Sequence, residues 1–406
     1  MAGILNVARV TIVLLPLIFS SSSMGADWPC FRGPKGNGIS SETGINKDWN
    51  NKPPKELWRV DLTDDGFAGP SIADGKLYIV DNKDKTDAVR ALDAATGKEL
   101  WRFTYPEGGL WPFGHTVATP LVYGGKVYTW SRSGGAYCFN AATGEKLWDR
   151  NLVAEYPAAK LPDMKLASSA VADGQNIIFL PGGREATAVA LDKDTGKTVW
   201  QSGKSKVSYA TPAVATLNGR KQILIFVADG LFGLDPKDGK ELWNLPWPTQ
   251  YDDKKAPTPL IVGNRIFIAT TEGGDTGLID VKDDKPTVVW KHKEMQNHFA
   301  TCVYYHDRII GSSDPNFLMC LEPPTGKVLW KKDGFQCAQV LGIDDTVIAL
   351  EGNTGVLVMI DPKAAEYKEI GRFTPLGGQM SWVAPIAVNG KLFVRSKTAL
   401  ACLDLK

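Results

Sequence analysis

Three arginines, two histidines and two acid–amide pairs stand where their chemistry could hold a ligand. Arg132, Arg184 and Arg395 each carry a planar fork of donors able to grip an anionic group through paired hydrogen bonds. Asp314 with Asn316, and Glu351 with Asn353, offer hard oxygens at close spacing, which suits a cation of the calcium type. His115 and His298 could act as bases beside a substrate hydroxyl, and Trp382 offers a flat stacking surface.

No spacing turns these residues into a catalytic set. His115, His292, His298 and His306 lack the pattern of a zinc site. Neither a nucleophile elbow nor a phosphate-binding glycine loop is present in the sequence. Catalytic residues are thus unassigned, and the question becomes which scaffold brings the candidates together.

That scaffold is written as a repeat. The phrase DAATGKELW at Asp93 to Trp101 returns as NAATGEKLW, DKDTGKTVW, DPKDGKELW and EPPTGKVLW. Trp58, Trp101, Trp148, Trp200, Trp243, Trp290 and Trp330 lie 43, 47, 52, 43, 47 and 40 residues apart. This is the period of a four-stranded propeller blade. Eight hairpin signals accompany it: Asp74-Gly75, Gly124-Gly125, Asp173-Gly174, Asn218-Gly219, Gly263-Asn264, His306-Asp307, Asp344-Asp345 and Asn389-Gly390. Most supply the Gly, Asn or Asp that tolerates positive φ in a primed turn.

The chain ends predict ring closure. The eighth unit stops at Lys406 without a fourth strand, while Lys55-Glu56-Leu57-Trp58 precedes the first complete unit. Pairing residues 55 to 62 with the last unit would leave no open edge. The expected fold is an all-β, closed eight-bladed propeller over residues 55–406. The recurring tryptophans are expected to dock each blade on the next. The seventh unit, with Tyr367 and Ile370 but no tryptophan, must pack differently.

Residues 1–26 differ in kind. Arg9 precedes an apolar run from Val10 to Phe19, followed by serines and small residues. This reads as a signal peptide cleaved after Gly25 or Ala26, giving a periplasmic or extracellular protein. Residues 27–54, rich in Gly and Pro, read as an N-terminal strap on the ring. Cys30 lacks the apolar and small residues of a lipidation motif before it. A net charge of +1 and the absence of a basic stripe point away from nucleic acid and from membrane insertion after cleavage. A small-molecule or protein ligand and a monomeric ring are the expectation. Of six cysteines, Cys138, Cys320 and Cys402 share the slot held elsewhere by Ala91, Ala190 and Gly233 and read as small fillers. Cys302 and Cys337 fall on first strands of neighbouring units, where a bridge is conceivable.

The repeated phrases resemble the PQQ-enzyme repeat, the AxDxxTGKxxW docking motif of quinoprotein dehydrogenases. The opening Trp28-Pro29-Cys30-Phe31-Arg32-Gly33-Pro34 is similar to the start of a group of exported bacterial propellers. The resemblance implies the fold, and it is shared by propellers that bind no quinone, including a scaffold lipoprotein of outer-membrane assembly. It also implies what a dehydrogenase would need: cations for the three carboxylates of PQQ, a stacking floor and a calcium ion. The vicinal Cys-Cys ring of the alcohol dehydrogenases is absent. The leading expectation is therefore an exported binding or scaffold module working through its channel mouth. The rival is a PQQ- and calcium-dependent dehydrogenase of an alcohol or sugar.

Overall fold

The computed structural model describes residues 27–64, 66–109, 114–158, 161–251, 254–271 and 273–406. The expected leader lies outside them, as do Trp111 and Glu272, which the repeat pattern places among the segments at the channel mouth. The chain forms eight antiparallel four-stranded sheets arranged as the blades of a ring. Blade 1 shows the pattern: Ser71–Ala73, Lys76–Lys83, Thr86–Asp93 and Glu99–Pro106 run from the inner strand to the outer edge. Among the described residues, no helix is long and apolar enough to cross a membrane.

Ring closure follows the sequence pattern. Glu56–Asp61 pairs with Ala399–Asp404, placing Trp58 opposite Cys402 and supplying the fourth strand of blade 8. The primed turns are visible in the dihedrals: Asn218 and Gly219 have φ of 47° and 81°, and Asn389 and Gly390 have 54° and 69°. One turn is displaced from its expected place. Asp173 pairs with Asn176, so the third hairpin turns through Gly174-Gln175, with Gly174 at φ 60°. The single glycine at the first corner position serves a turn of the II′ kind, and Asp173 remains on the strand.

Each repeated phrase builds a turn that receives the preceding blade. At Asp93 the carboxylate accepts the N–H groups of Ala95 and Thr96 and the Thr96 hydroxyl at 2.8 to 3.0 Å. Gly97 then takes φ 73°, and a Cβ there would lie 2.8 Å from the Trp58 ring. The same arrangement sets Trp101 on Gly144, Trp148 on Gly196, Trp200 on Gly239 and Trp290 on Gly326. The indole N–H groups donate to carbonyls of the receiving turn, as from Trp148 to Lys193 at 3.2 Å and from Trp290 to Pro323 at 2.8 Å. Each indole is thus held flat by a glycine and fixed in rotation by one hydrogen bond.

Two tryptophans depart from this scheme because the blade ahead lacks its half of the contact. Blade 5 replaces the Thr-Gly phrase by a tight turn at Asp283-Asp284, and Trp243 donates instead to Gln222 Oε1 at 2.7 Å. Trp330 meets the edge of Tyr367 at 5.7 Å, on the aberrant seventh blade. On the outer strand of blade 7 the tryptophan slot is Gly371, opposite Met359. Trp49 packs there, with its Cβ 3.1 Å from where a Gly371 Cβ would stand, and is 1% exposed. An indole from residues 27–54 thereby covers the blade that lacks its own.

All six cysteines are free thiols, Cys302 and Cys337 included. Cys138, Cys320 and Cys402 lie opposite Trp148, Trp330 and Trp58 across the outer strand pair, where a small side chain leaves room for the indole.

Truncating a docked indole leaves a cavity that the flanking sheets cannot collapse into. Trp148→Ala is expected to lose roughly 3–5 kcal/mol of stability, and Trp49→Ala a comparable amount. Denaturant unfolding measures both; an unchanged midpoint for either removes that residue from the docking scheme.

Candidate functional site in the channel

The inner strands enclose a central cavity of about 180 Å³. One end is floored by residues 27–42. Trp28 pairs with Ile72 of blade 1, and Pro29 accepts the N–H of Val122 in blade 2. Across the ring, Ile39 pairs with Gly342 of blade 7, and Glu42 accepts from the Asn389 and Gly390 N–H groups of blade 8. The strap therefore crosses the face that carries the first hairpin turns.

The opposite end is the mouth, formed by the segments that enter the inner strands. There Phe67 stacks on Trp382 at 4.9 Å, and Trp382 on Phe299 at 5.7 Å. These rings come from the approaches to blades 1, 8 and 6, so the stack reaches over part of the opening. Hydroxyls tie neighbouring blades below it. The N–H of Thr119 donates to Ser169 Oγ, and that of Ser169 to Thr211 Oγ1, both at 2.9 Å. Each hydroxyl that accepts in this way keeps its own proton.

The candidates from sequence do not converge. Arg132 lines the cavity, buried at 3% exposure, and donates to the Met164 and Gly114 carbonyls. Burial lowers its pKa. Arg395 is buried and donates to the Ala68 carbonyl, clasping blade 8 to blade 1, and is not part of the cavity lining. Arg184 is exposed on the third blade, outside the lining. The expected trio of anion-gripping arginines is thus corrected to one wall residue, a blade clasp and a surface side chain.

The histidines are likewise separated. His115 precedes blade 2, its backbone N–H donating to Asp64 at 2.9 Å and its Nδ1 3.6 Å from the same carboxylate oxygen. His298 precedes blade 6, stacked on Phe299 at 3.9 Å with Nδ1 3.8 Å from Asp314. Four blades apart on an eight-bladed ring, they stand on opposite sides of the mouth. Of the residues expected there, Trp382 and Arg132 reach the cavity.

The acid–amide pairs serve their own loops. Glu351 accepts from the Gln336, Asn353 and Thr354 N–H groups and from the Thr354 hydroxyl. Asn353 is exposed and donates to Gln336 Oε1 at 2.6 Å. Asp314 accepts the Thr271 hydroxyl, and Asn316 is exposed, its carbonyl capping the Phe335 N–H. Neither pair lines the cavity. Among the described residues no three His, Cys, Asp or Glu side chains form a group that could hold a metal ion.

These donors do not fit PQQ with calcium. Among the described residues the cavity lining contains no Asp or Glu, so none of them offers a hard anionic oxygen at its wall. Drug-sized ligands occupy roughly 300–1,000 Å³, and a cavity of about 180 Å³ is small for a three-ring tricarboxylate.

Sequence reasoning missed Arg32, at the cavity floor, and Phe299, the third ring of the mouth. Arg32 lies in the Gly-rich opening phrase, and the glycines around it were the available signal. Gly33 lets the chain turn against the Trp28 ring, and a Cβ at Gly38 would lie 2.8 Å from Arg32 Nη2.

An eight-bladed propeller of PQQ-type repeats, with one plugged end and one aromatic mouth, is the class that fold and cavity define. The chain belongs to the family described as outer membrane protein assembly factor BamB, whose model matches residues 48–156 and 85–332. It is 31% identical over 159 residues to the quinoprotein alcohol dehydrogenase PedH of Pseudomonas putida, covering 37% of this chain and 25% of that protein. To the tetrathionate hydrolase of Acidithiobacillus ferrooxidans it is 25% identical over 334 residues, 80% of this chain and 49% of that one. The chain thus spans a quarter of the dehydrogenase and about half of the hydrolase. The crystal structure of BamB from Moraxella catarrhalis superposes with a TM-score of 0.64 at 18% identity, covering 86% of this chain and 99% of that one. That likeness is one of fold.

Among the described residues, the most perturbed carboxylate lies away from the cavity. Asp87, 2% exposed on blade 1, is pushed up to about 7 by burial, with the charge of Glu107 adding to the shift and a hydrogen bond from Asn82 opposing it. Its folded pKa stands above its ordinary value of 3.8, so the folded state holds the proton more tightly than the unfolded chain. Stability from this group is complete below about pH 4 and is lost as pH rises toward 7, by at most about 1.4 kcal/mol per unit. Asp87→Asn is expected to flatten that fall and to unfold at higher denaturant than the parent at pH 8. Parallel pH profiles for the two proteins would contradict the assignment.

Proposed function

We propose that this chain is an exported binding module that receives a small ligand through the mouth of its channel. The absence of acidic side chains among the described residues of the cavity lining carries this reading. A quinoprotein centre must polarise a carbonyl and neutralise three carboxylates, whereas this cavity is small and mostly apolar, with no acidic side chain among its described residues. The likeness to a quinoprotein dehydrogenase covers 37% of this chain and 25% of that protein, and repeats of this kind encode docking contacts rather than a reaction.

The family description supports a scaffold role in an envelope compartment. Together with the leader-like pattern of residues 1–26, it favours export, and the exported protein is expected to begin at Ala26 or Asp27. Intact mass of the secreted product tests this directly. The ring has no unpaired blade at its seam, which suits a protein working as a monomer.

Titration of the mature protein with PQQ, with and without Ca²⁺, tests the functional reading. Melting is expected to stay within experimental error, with no dye reduction on a panel of alcohols and sugars. A calcium-dependent rise in melting accompanied by substrate-driven dye reduction would replace the binding module by a dehydrogenase.

A further inference from the structure

The channel presents an apolar surface to its interior although polar residues stand around it. Among the described residues of the lining, Arg32, Thr119, Arg132, Ser169, Thr211 and Gln339 are all between 3% and 6% exposed. Arg32 gives Nη1 and Nη2 to the Thr301, Asn37 and Cys302 carbonyls, and its Nε is buried. Arg132 donates to the Met164 and Gly114 carbonyls. Tyr209 is the half-buried exception, and its hydroxyl accepts the Met164 N–H at 3.1 Å. The other lining residues that keep accessible surface are apolar, Phe31, Phe67, Val117, Met164, Phe299 and Trp382 among them.

Aromatic rings stand at both ends of this space. Trp28 and Phe31 belong to the strap that floors it, and the stack of Phe67, Trp382 and Phe299 to its mouth. A charged guest would lose its hydration here without gaining a partner. An anion finds guanidinium groups already engaged on backbone carbonyls, and a cation finds no carboxylate among the described lining residues. A neutral ring gives up only water that covers apolar surface, which favours entry. Size narrows the class further. The cavity holds about 180 Å³, and an apolar cavity of roughly 150 Å³ accommodates benzene.

We infer that the channel binds a neutral, single-ring aromatic molecule, held between the rings of the strap and those of the mouth. This inference rests on the binding-module reading and adds to it the class of ligand.

Calorimetric titration and thermal melting of the mature chain with toluene, benzoate, benzylamine and methylcyclohexane test it. Toluene is expected to bind and to raise melting. Benzoate and protonated benzylamine carry the same ring with a charge, and each is expected to bind at least about tenfold more weakly, because an unmatched charge is costly to bury. Methylcyclohexane, neutral and of similar size, is expected to be weaker than toluene by about two- to tenfold, the share owed to aromatic pairing. Ala167→Leu and Ala256→Leu, on the approaches to blades 3 and 5, each fill part of the cavity and should weaken toluene by about tenfold or more. If one of these variants fails to fold, the other locates the site, and the comparisons in the parent protein need neither. Toluene affinity unchanged in a folded variant would place the ring outside the channel and overturn the site. A charged analogue binding as tightly as toluene would overturn the neutral class, and methylcyclohexane equal to toluene the aromatic one. Failure of toluene to bind would remove the inference while leaving the binding-module reading in place, since that reading falls only to substrate-driven dye reduction with PQQ.

Discussion

The ring depends on one contact: an indole laid flat on a glycine of the next blade and pinned by a hydrogen bond to that blade's turn. Flatness is possible because the glycine offers no Cβ; at Gly97, Gly144 and Gly196 one would stand within 3 Å of the indole. Each tryptophan buries about 150–250 Å², worth roughly 4–6 kcal/mol of gross burial at 25 cal/mol per Å². Repetition turns this local contact into a global one. Where it fails, the chain supplies a substitute, as Gln222 does for Trp243 and Trp49 does for the seventh blade.

The cavity is a consequence of that geometry. Eight blades held at a fixed spacing leave a channel that inner-strand side chains cannot fill. The strap and the aromatic stack divide what remains into a floor, a wall and a mouth. Arginines in this region mostly hold backbone together: Arg395 joins blade 8 to blade 1, and Arg132 gathers two loop carbonyls. Arg32 does the same and still leaves a donor over.

The sequence made the ring legible because repeats multiply a weak signal. Turn pairs, tryptophan spacing and the Lys55 to Trp58 phrase each point to eight closed blades, and local errors such as the Asp173 turn do not disturb the count. The site was less legible, since a loop position says which face a residue occupies and not which way its side chain turns. Arg132 and Arg184 occupy like positions in neighbouring units, yet one is buried against carbonyls and the other is exposed. Glu351 looked like a cation ligand because its partners are backbone N–H groups, which sequence does not display. Trp49 and Arg32 act across more than 260 residues of chain, beyond any local pattern.

The strap orders events as well as residues. Its partners in blades 6, 7 and 8 are synthesised long after the strap itself. Asn50 reaches Ile370, and Glu42 reaches Gly390, across separations of 320 and 348 residues. Contacts of such separation form late and carry a large loop-closure cost until the intervening chain is folded. The channel floor, the seventh blade's indole and the seam at Trp58 therefore all wait on blades 7 and 8. A chain interrupted before blade 8 would lack the strand that pairs with Glu56–Asp61 and the turn that holds Glu42, so the channel floor is a property of the closed ring.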